Sequence, residues 1–143
     1  MTRVLFLCTG NSCRSQMAEG LARHLGDGQV EAFSAGRQPK GIHPLAIKAM
    51  QEVRIDISGQ TSKHLDAFTG QPFDFVITVC DRAREECPIW PGAREHIHWS
   101  LDDPAEATGS EEQQLAVFRR IRDEIRQRVR LFLTANHIGE AVE

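Results

Sequence analysis

No run of apolar residues in this 143-residue sequence approaches the ~18 that a membrane-spanning helix needs, so no membrane partner is expected. The opening stretch MTRVLFLCTG is too short in its apolar part for a secretory signal and lacks a small-residue cleavage site, which points to the cytoplasm. Excess charge is missing as well. The formal net charge is −3, too little basic character for a surface that coats nucleic acid. Internal repeats, low-complexity blocks and linkers are absent, and tyrosine does not occur at all. The hydrophobic fraction, 41%, and the charged fraction, 26%, are ordinary for a globular chain. Length then predicts one domain, 1–135, large enough to bury a core, followed by a frayed tail at 136–143.

What is present is four cysteines, Cys8, Cys13, Cys80 and Cys87. In a cytoplasmic chain of this size they point to metal or redox chemistry more than to structural disulfides.

Apolar pattern alternates strand and helix. Residues 3–7 form a short apolar run, consistent with a strand buried on both faces. Met17, Ala18, Leu21, Ala22 and Leu25 then recur at helical spacing, stopped by Gly26 and Gly28. A second strand is expected over 29–34, a helix opened by Pro44, a third strand over 73–79 and a fourth over 94–99. The last helix is opened by Ser110 and Gln113 as a capping box. It carries an apolar stripe of Leu115, Phe118, Ile121, Ile125 and Phe132. Its arginines, Arg119 to Arg130, read as a solvated face. Strands separated by helices imply an α/β fold: a three-layer sandwich with a four-stranded parallel sheet and helices on both faces. Ligands in such folds bind at the carboxyl ends of the strands. Cys8 and Cys80 each stand at such an end.

The stretch CTGNSCRS supplies what a tetrahedral oxyanion needs: backbone N–H groups in a tight loop, a helix N-terminus behind them and an arginine fork. The binding set is Thr9, Gly10, Asn11, Ser12, Cys13, Arg14 and Ser15. Gly10 and Asn11 are residue types that tolerate positive φ. The same positive field is expected to depress the Cys8 thiol from about 8.5 into the range 3.5–7.5, with Ser12 or Ser15 donating to the thiolate. The Cys13 thiol itself reads as a packed bystander.

A second cysteine pair lies in VCDRAREECPIWPG. Asp81 is suited to cap a short helix, Arg82 and Glu86 to pair on it, and Pro88 to end it. An intact helix would hold Cys80 and Cys87 about 10.5 Å apart along its axis, whereas a disulfide needs α-carbons within roughly 7 Å. Oxidation of that pair therefore requires the segment to loop out. Zinc held by Cys80, Cys87, His96 and His98 is the rival reading. Its spacing matches neither common finger pattern, and no metal is expected. Asp102 and Asp103, before Pro104, are candidate acids for a leaving oxygen.

Together CTGNSCRSQMAEG, SAG at 34–36, DIS and TS to Ser62, VITVC, CP at Cys87 and DDPA resemble arsenate reductases with the low-molecular-weight tyrosine phosphatase fold. The resemblance covers nearly the whole chain. It implies that Cys8 attacks arsenate held by the loop amides and Arg14, while Asp103 protonates the leaving oxygen. It further implies that Cys80 attacks the Cys8 adduct and releases arsenite. Cys87 then takes over the bond, presenting Cys80–Cys87 to thioredoxin. No tightly bound cofactor and a monomer are expected. Relatives can also bind potassium through residues matching Asn11, Glu19, Ser34 and an aspartate after TS. Here that last position is Lys63, whose ammonium is expected to replace the ion and pair with Glu19. Two other readings stand beside this one. A phosphatase for phosphotyrosine or small phosphoesters would use the same Cys8, Arg14 and Asp103, though phosphatase relatives usually carry tyrosines after the acid's proline. A thiol-based redox or metal sensor would leave the anion loop unexplained.

Overall fold

A computed structural model describes residues 1–80 and 90–138. Four strands, β1 (Thr2–Leu7), β2 (Val30–Ala35), β3 (Phe73–Thr78) and β4 (Ala93–His98), form one sheet in the order β2-β1-β3-β4. Every pairing is parallel. Between and after them run α1 (Arg14–Leu25), α2 (Pro44–Gln51) and α3 (Glu111–Ala135), with short 3-10 turns at Leu65–Phe68 and Pro104–Glu106. The expected order of elements is therefore observed, with boundaries shifted by a residue. Neither 3-10 turn was expected, because three or four residues carry no periodicity. The helix expected around Asp81, with Arg82, Glu86, Cys87 and Pro88, lies outside the described residues.

Side chains of β1 alternate between the two faces. Val4 and Phe6 enter the larger core with Met17 and Leu21 of α1, Met50 of α2 and Phe118, Ile121 and Ile125 of α3. Leu5 and Leu7 enter a smaller cluster with Phe68 and Phe73, covered by the first 3-10 turn. Phe33, Phe68 and Phe73 meet there edge to face, and Arg3 lies 5.0 Å from the Phe33 ring centroid and 4.7 Å from that of Phe73. Among the described residues no helix is long and apolar enough to cross a membrane.

Helix α3 begins with the expected capping box, Ser110 and Gln113 each binding the other's backbone N–H. Its arginine face is less solvated than expected. Arg122 is buried, donating to the Ala49 carbonyl at 2.8 Å and to Glu52 at 3.1 Å, and Arg119 pairs with Glu52 at 2.7 Å. These arginines tie α3 to the end of α2, and they hold the Glu52 carboxyl at about 2. Of the tail expected from 136 onward, residues 136–138 are described, and of these only Ile138 is buried. His137 takes φ 57°, its N–H donates to Thr134, and Ile138 N–H reaches back to Leu133, a Schellman closure that buries Ile138.

The sheet register positions the site. Leu7 pairs with Ala35 on one side and Thr78 on the other, so three strands end level. One further rung on each side, Cys8 N–H to Ala35 O at 3.2 Å and Val79 N–H to Leu7 O at 2.9 Å, carries the ladder to where Cys8 and Cys80 emerge.

Candidate active site

The loop from Cys8 to Cys13 joins β1 to the N-terminus of α1, and Asn11 is its keystone. Asn11 is fully buried and takes φ 45°, the left-handed conformation that asparagine tolerates. Its Oδ1 accepts from the Lys63 N–H at 2.7 Å and its Nδ2 donates to Ser15 Oγ at 2.9 Å. Its carbonyl accepts from Ser62 Oγ at 2.9 Å and from Gln16 Nε2 at 3.1 Å. Gly10, expected to share the positive φ, does not adopt it. The glycine the loop cannot do without is Gly36. A Cβ there would stand 2.5 Å from the Cys8 carbonyl oxygen, 2.6 Å from that of Thr9 and 2.9 Å from the Asn11 nitrogen.

The start of α1 is left open to an anion. Cys13 occupies the N-cap without a side-chain cap bond, and the first turn holds no acidic residue. Arg14 is buried. Its Nη1 donates to the Leu101 carbonyl at 2.8 Å, its Nη2 lies 3.6 Å from Asp103 Oδ2, and its Nε is buried with no partner. The fork is therefore turned partly toward the acid loop, with one donor still uncommitted. Asp103 uses Oδ1 to cap the second 3-10 turn, accepting from Ala105 N–H at 3.0 Å, and presents Oδ2 to Arg14. Asp102 points away, 3.5 Å from Arg120 and largely exposed.

Cys8, Arg14, Cys80 and Asp103 all line one cleft of about 440 Å³, with Thr9, Gly10, Ser12 and Cys13. The buried Cys8 and Cys80 thiols are close enough to act on each other, and Thr9 Oγ1 lies 3.6 Å from Cys80 Sγ. This proximity of two thiols reverses the expectation for Cys8. Its thiol is held above the ordinary value, first by Cys80 and then by burial. Arg14 and the Gly10 N–H oppose this but do not win. Two adjacent thiols resist sharing negative charge, so the pair loses its second proton far less readily than its first. The two hydroxyls expected on Cys8 accept here instead, Ser15 Oγ from Asn11 Nδ2 at 2.9 Å and Ser12 Oγ from Cys13 Sγ at 3.7 Å. Burial pushes the Cys13 thiol up to about 11.

Lys63 does not pair with Glu19. Its Nζ donates to the Thr61 carbonyl at 2.7 Å, and Arg23 occupies the place instead, 2.7 Å from Glu19 Oε2. Ser34 Oγ donates to Glu19 Oε1 at 2.6 Å. Both carboxylate oxygens are thus taken by side chains of this chain, and the donor set does not fit a potassium ion. The arginine won because it reaches Glu19 across one helical turn, whereas Lys63 would have to cross from a loop. Cys87 lies outside the described residues. Among those described, no three His, Cys, Asp or Glu side chains converge as metal ligands. His96 Nε2 lies 3.3 Å from the Trp90 nitrogen, and His98 Nδ1 lies 2.7 Å from Thr78 Oγ1.

Three contributors had no readable signal in the sequence: the Leu101 carbonyl on Arg14, Gln16 on the loop backbone, and Lys40, which lines the cleft mouth with Ala105 and Glu106. Each contact is set by how the chain returns on itself, not by local spacing.

Residues 3–142 match the family model for low molecular weight phosphotyrosine protein phosphatase. An arsenate reductase from Halalkalibacterium halodurans is 51% identical over 130 residues, covering 90% of this chain and 93% of its own. A solved arsenate reductase in the phosphate-binding state superposes with a TM-score of 0.82 at 40% identity, covering 94% of this chain and 98% of its own. A thioredoxin-dependent arsenate reductase from Corynebacterium glutamicum gives a TM-score of 0.73 at 31% identity, over 94% of this chain and 61% of its own.

Proposed function

We infer the activity from one premise: the chain belongs to the low molecular weight phosphotyrosine protein phosphatase family. Within that family it reduces arsenate to arsenite at the expense of a thiol reductant. The observation that carries this reading is the placement of two free thiols, Cys8 and Cys80, in the lining of one cleft with Arg14 and Asp103. A phosphatase of this fold needs only the first thiol; a reductase needs a second one in reach of it.

Cys80 and burial hold the Cys8 thiol above its ordinary value, so arsenate binding and proton movement go together. The dianion settles on the loop N–H groups and on Arg14 Nε, drawing the fork away from Asp103. Cys8 Sγ then attacks arsenic. Its proton, passed through Asp103, leaves with the departing hydroxyl as water, and a Cys8–arsenic(V) bond forms. Cys80 attacks Cys8 Sγ and a sulfur–sulfur bond forms; the electron pair of the sulfur–arsenic bond passes to arsenic, which departs as arsenite and carries off the Cys80 proton on an oxygen. Cys87 attacks Cys80 and frees Cys8, and a dithiol of the thioredoxin class reduces the Cys80–Cys87 disulfide. Ala105 and Glu106 at the cleft mouth, in a chain without tyrosine, offer no aromatic wall to a phosphotyrosine ring, which favours a small inorganic oxyanion. The protein acts as a monomer: among the described residues only Met1 and Leu131 expose large apolar side chains.

NADPH consumption in a mixture with thioredoxin and thioredoxin reductase tests the reading. Consumption is expected to depend on arsenate and to vanish in Cys8→Ser, Cys80→Ser and Cys87→Ser. Silence toward arsenate, with brisk hydrolysis of an aryl phosphate, would instead make the protein a phosphatase.

A further inference from the structure

The cation count at the cleft is short for the ligand it takes. A tetrahedral dianion placed above Cys8 faces one guanidinium, Arg14, whose Nη1 is held by the Leu101 carbonyl and whose Nη2 faces the Asp103 carboxylate. The α1 N-terminus adds roughly half a positive charge. Asp103 and Glu106, both at the cleft, add negative charge.

Lys40 stands where the deficit is. Residues 38–40 run along the anion loop: Gln38 N–H donates to the Thr9 carbonyl at 2.8 Å and Lys40 N–H to the Gly10 carbonyl at 3.0 Å. The Lys40 stem therefore crosses Gly10, its Cδ 3.4 Å and its Cγ 3.7 Å from where a Gly10 Cβ would be. The stem leads the side chain into the lining of the same cleft as Cys8, Arg14 and Asp103. Its charge is felt within the loop, at the Cys13 thiol. Among the described residues the ammonium has no ion pair or hydrogen bond, unlike Lys63, which is bound to Thr61.

We propose that Lys40 is a substrate-binding residue that selects doubly charged tetrahedral oxyanions, its ammonium meeting the anion at the mouth and completing the charge that Arg14 alone does not supply. This rests on the oxyanion-reductase reading above. A flexible ammonium suits capture, because it follows the ligand inward, whereas Arg14 fixes the final orientation.

The test uses the whole protein and two readouts. Inorganic phosphate is titrated as a protectant of Cys8 against iodoacetamide, and arsenate turnover is followed with thioredoxin and thioredoxin reductase. Lys40→Met is expected to weaken phosphate protection and raise the arsenate KM by about five-fold, with kcat changed by less than about two-fold and a shallower salt dependence of KM. Lys40→Arg restores both, and Lys48→Met, which removes a surface lysine on α2, changes neither. Phosphate protection in Lys40→Met equal to wild type in strength and salt dependence overturns the proposal. So does equal weakening in Lys40→Arg, which would reduce Lys40 to a packing role. A wild-type protein silent toward arsenate defeats the reductase reading, while the phosphate arm still decides Lys40.

Discussion

Two buried charges lie on the same helix, and the fold treats them differently. Glu19 is satisfied on both oxygens, by Arg23 at 2.7 Å and Ser34 at 2.6 Å. Arg14, one and a half turns earlier, has a carbonyl on one nitrogen, a carboxylate at 3.6 Å on another and nothing on Nε. A saturated buried charge holds elements together; an under-satisfied one stores affinity for a ligand that has yet to arrive. The contrast separates scaffold from site more clearly than burial does, since both side chains are almost wholly buried.

The largest effect is expected where the unsatisfied charge is altered. Arg14→Lys keeps the charge but loses the fork and the Nε donor, so phosphate protection of Cys8 and arsenate kcat/KM should fall by about a hundred-fold or more, read by alkylation kinetics and turnover. Tm should fall only modestly by comparison, through the Leu101 carbonyl and Asp103 contacts that Arg14 makes in the empty fold.

The saturated charge should behave in the opposite way. Arg23→Gln leaves Glu19 buried against Ser34 alone, and stability should fall by about 1–3 kcal/mol in chemical denaturation, less than for a fully buried pair because half of the Arg23 side chain is exposed. Potassium should raise the Tm of the wild-type protein no more than sodium at equal ionic strength. A potassium-specific rise would show that Arg23 yields its place.

How much of this contrast was legible depends on distance along the chain. The strand–loop–helix around Cys8 and the capping box at Ser110 were readable, because each is a local pattern within about ten residues. The pairing of Cys8 with Cys80 was half readable: both stand at strand ends, but adjacency depends on β1 and β3 being neighbours in the sheet. The Cys8 thiol was misread because the local field of Arg14 and the helix is visible in sequence, whereas the thiol 72 positions away that outweighs it is not. Lys63 was misread for a related reason: a position was matched, but the geometry chose Arg23, one turn from Glu19.

The Cys8–Cys80 contact can itself be sharpened. Removing the second thiol in Cys80→Ala removes the main cause that raises Cys8, so its alkylation by iodoacetamide at pH 7 should quicken, by about ten-fold for each pH unit that its titration moves down. An unchanged rate would mean that burial alone governs Cys8.

The smallest effect is expected far from the cleft. Glu52, held at about 2 by Arg119 and then Arg122, stabilises the α2–α3 contact above its ordinary value of 4.5. Glu52→Gln should lower Tm by a few degrees at pH 7, and the gap to wild type should close as pH falls from 4.5 through about 2, where the wild-type carboxylate is itself protonated.

The central claim is that Cys80 is the second nucleophile, and single turnover in Cys87→Ser tests it most directly. Reacted with one equivalent of arsenate and quenched in acid, that variant should release one equivalent of arsenite and show a Cys8–Cys80 disulfide in the peptide map. Arsenite released with Cys80 still a free thiol, or with Cys8 joined to Cys13, would contradict the account.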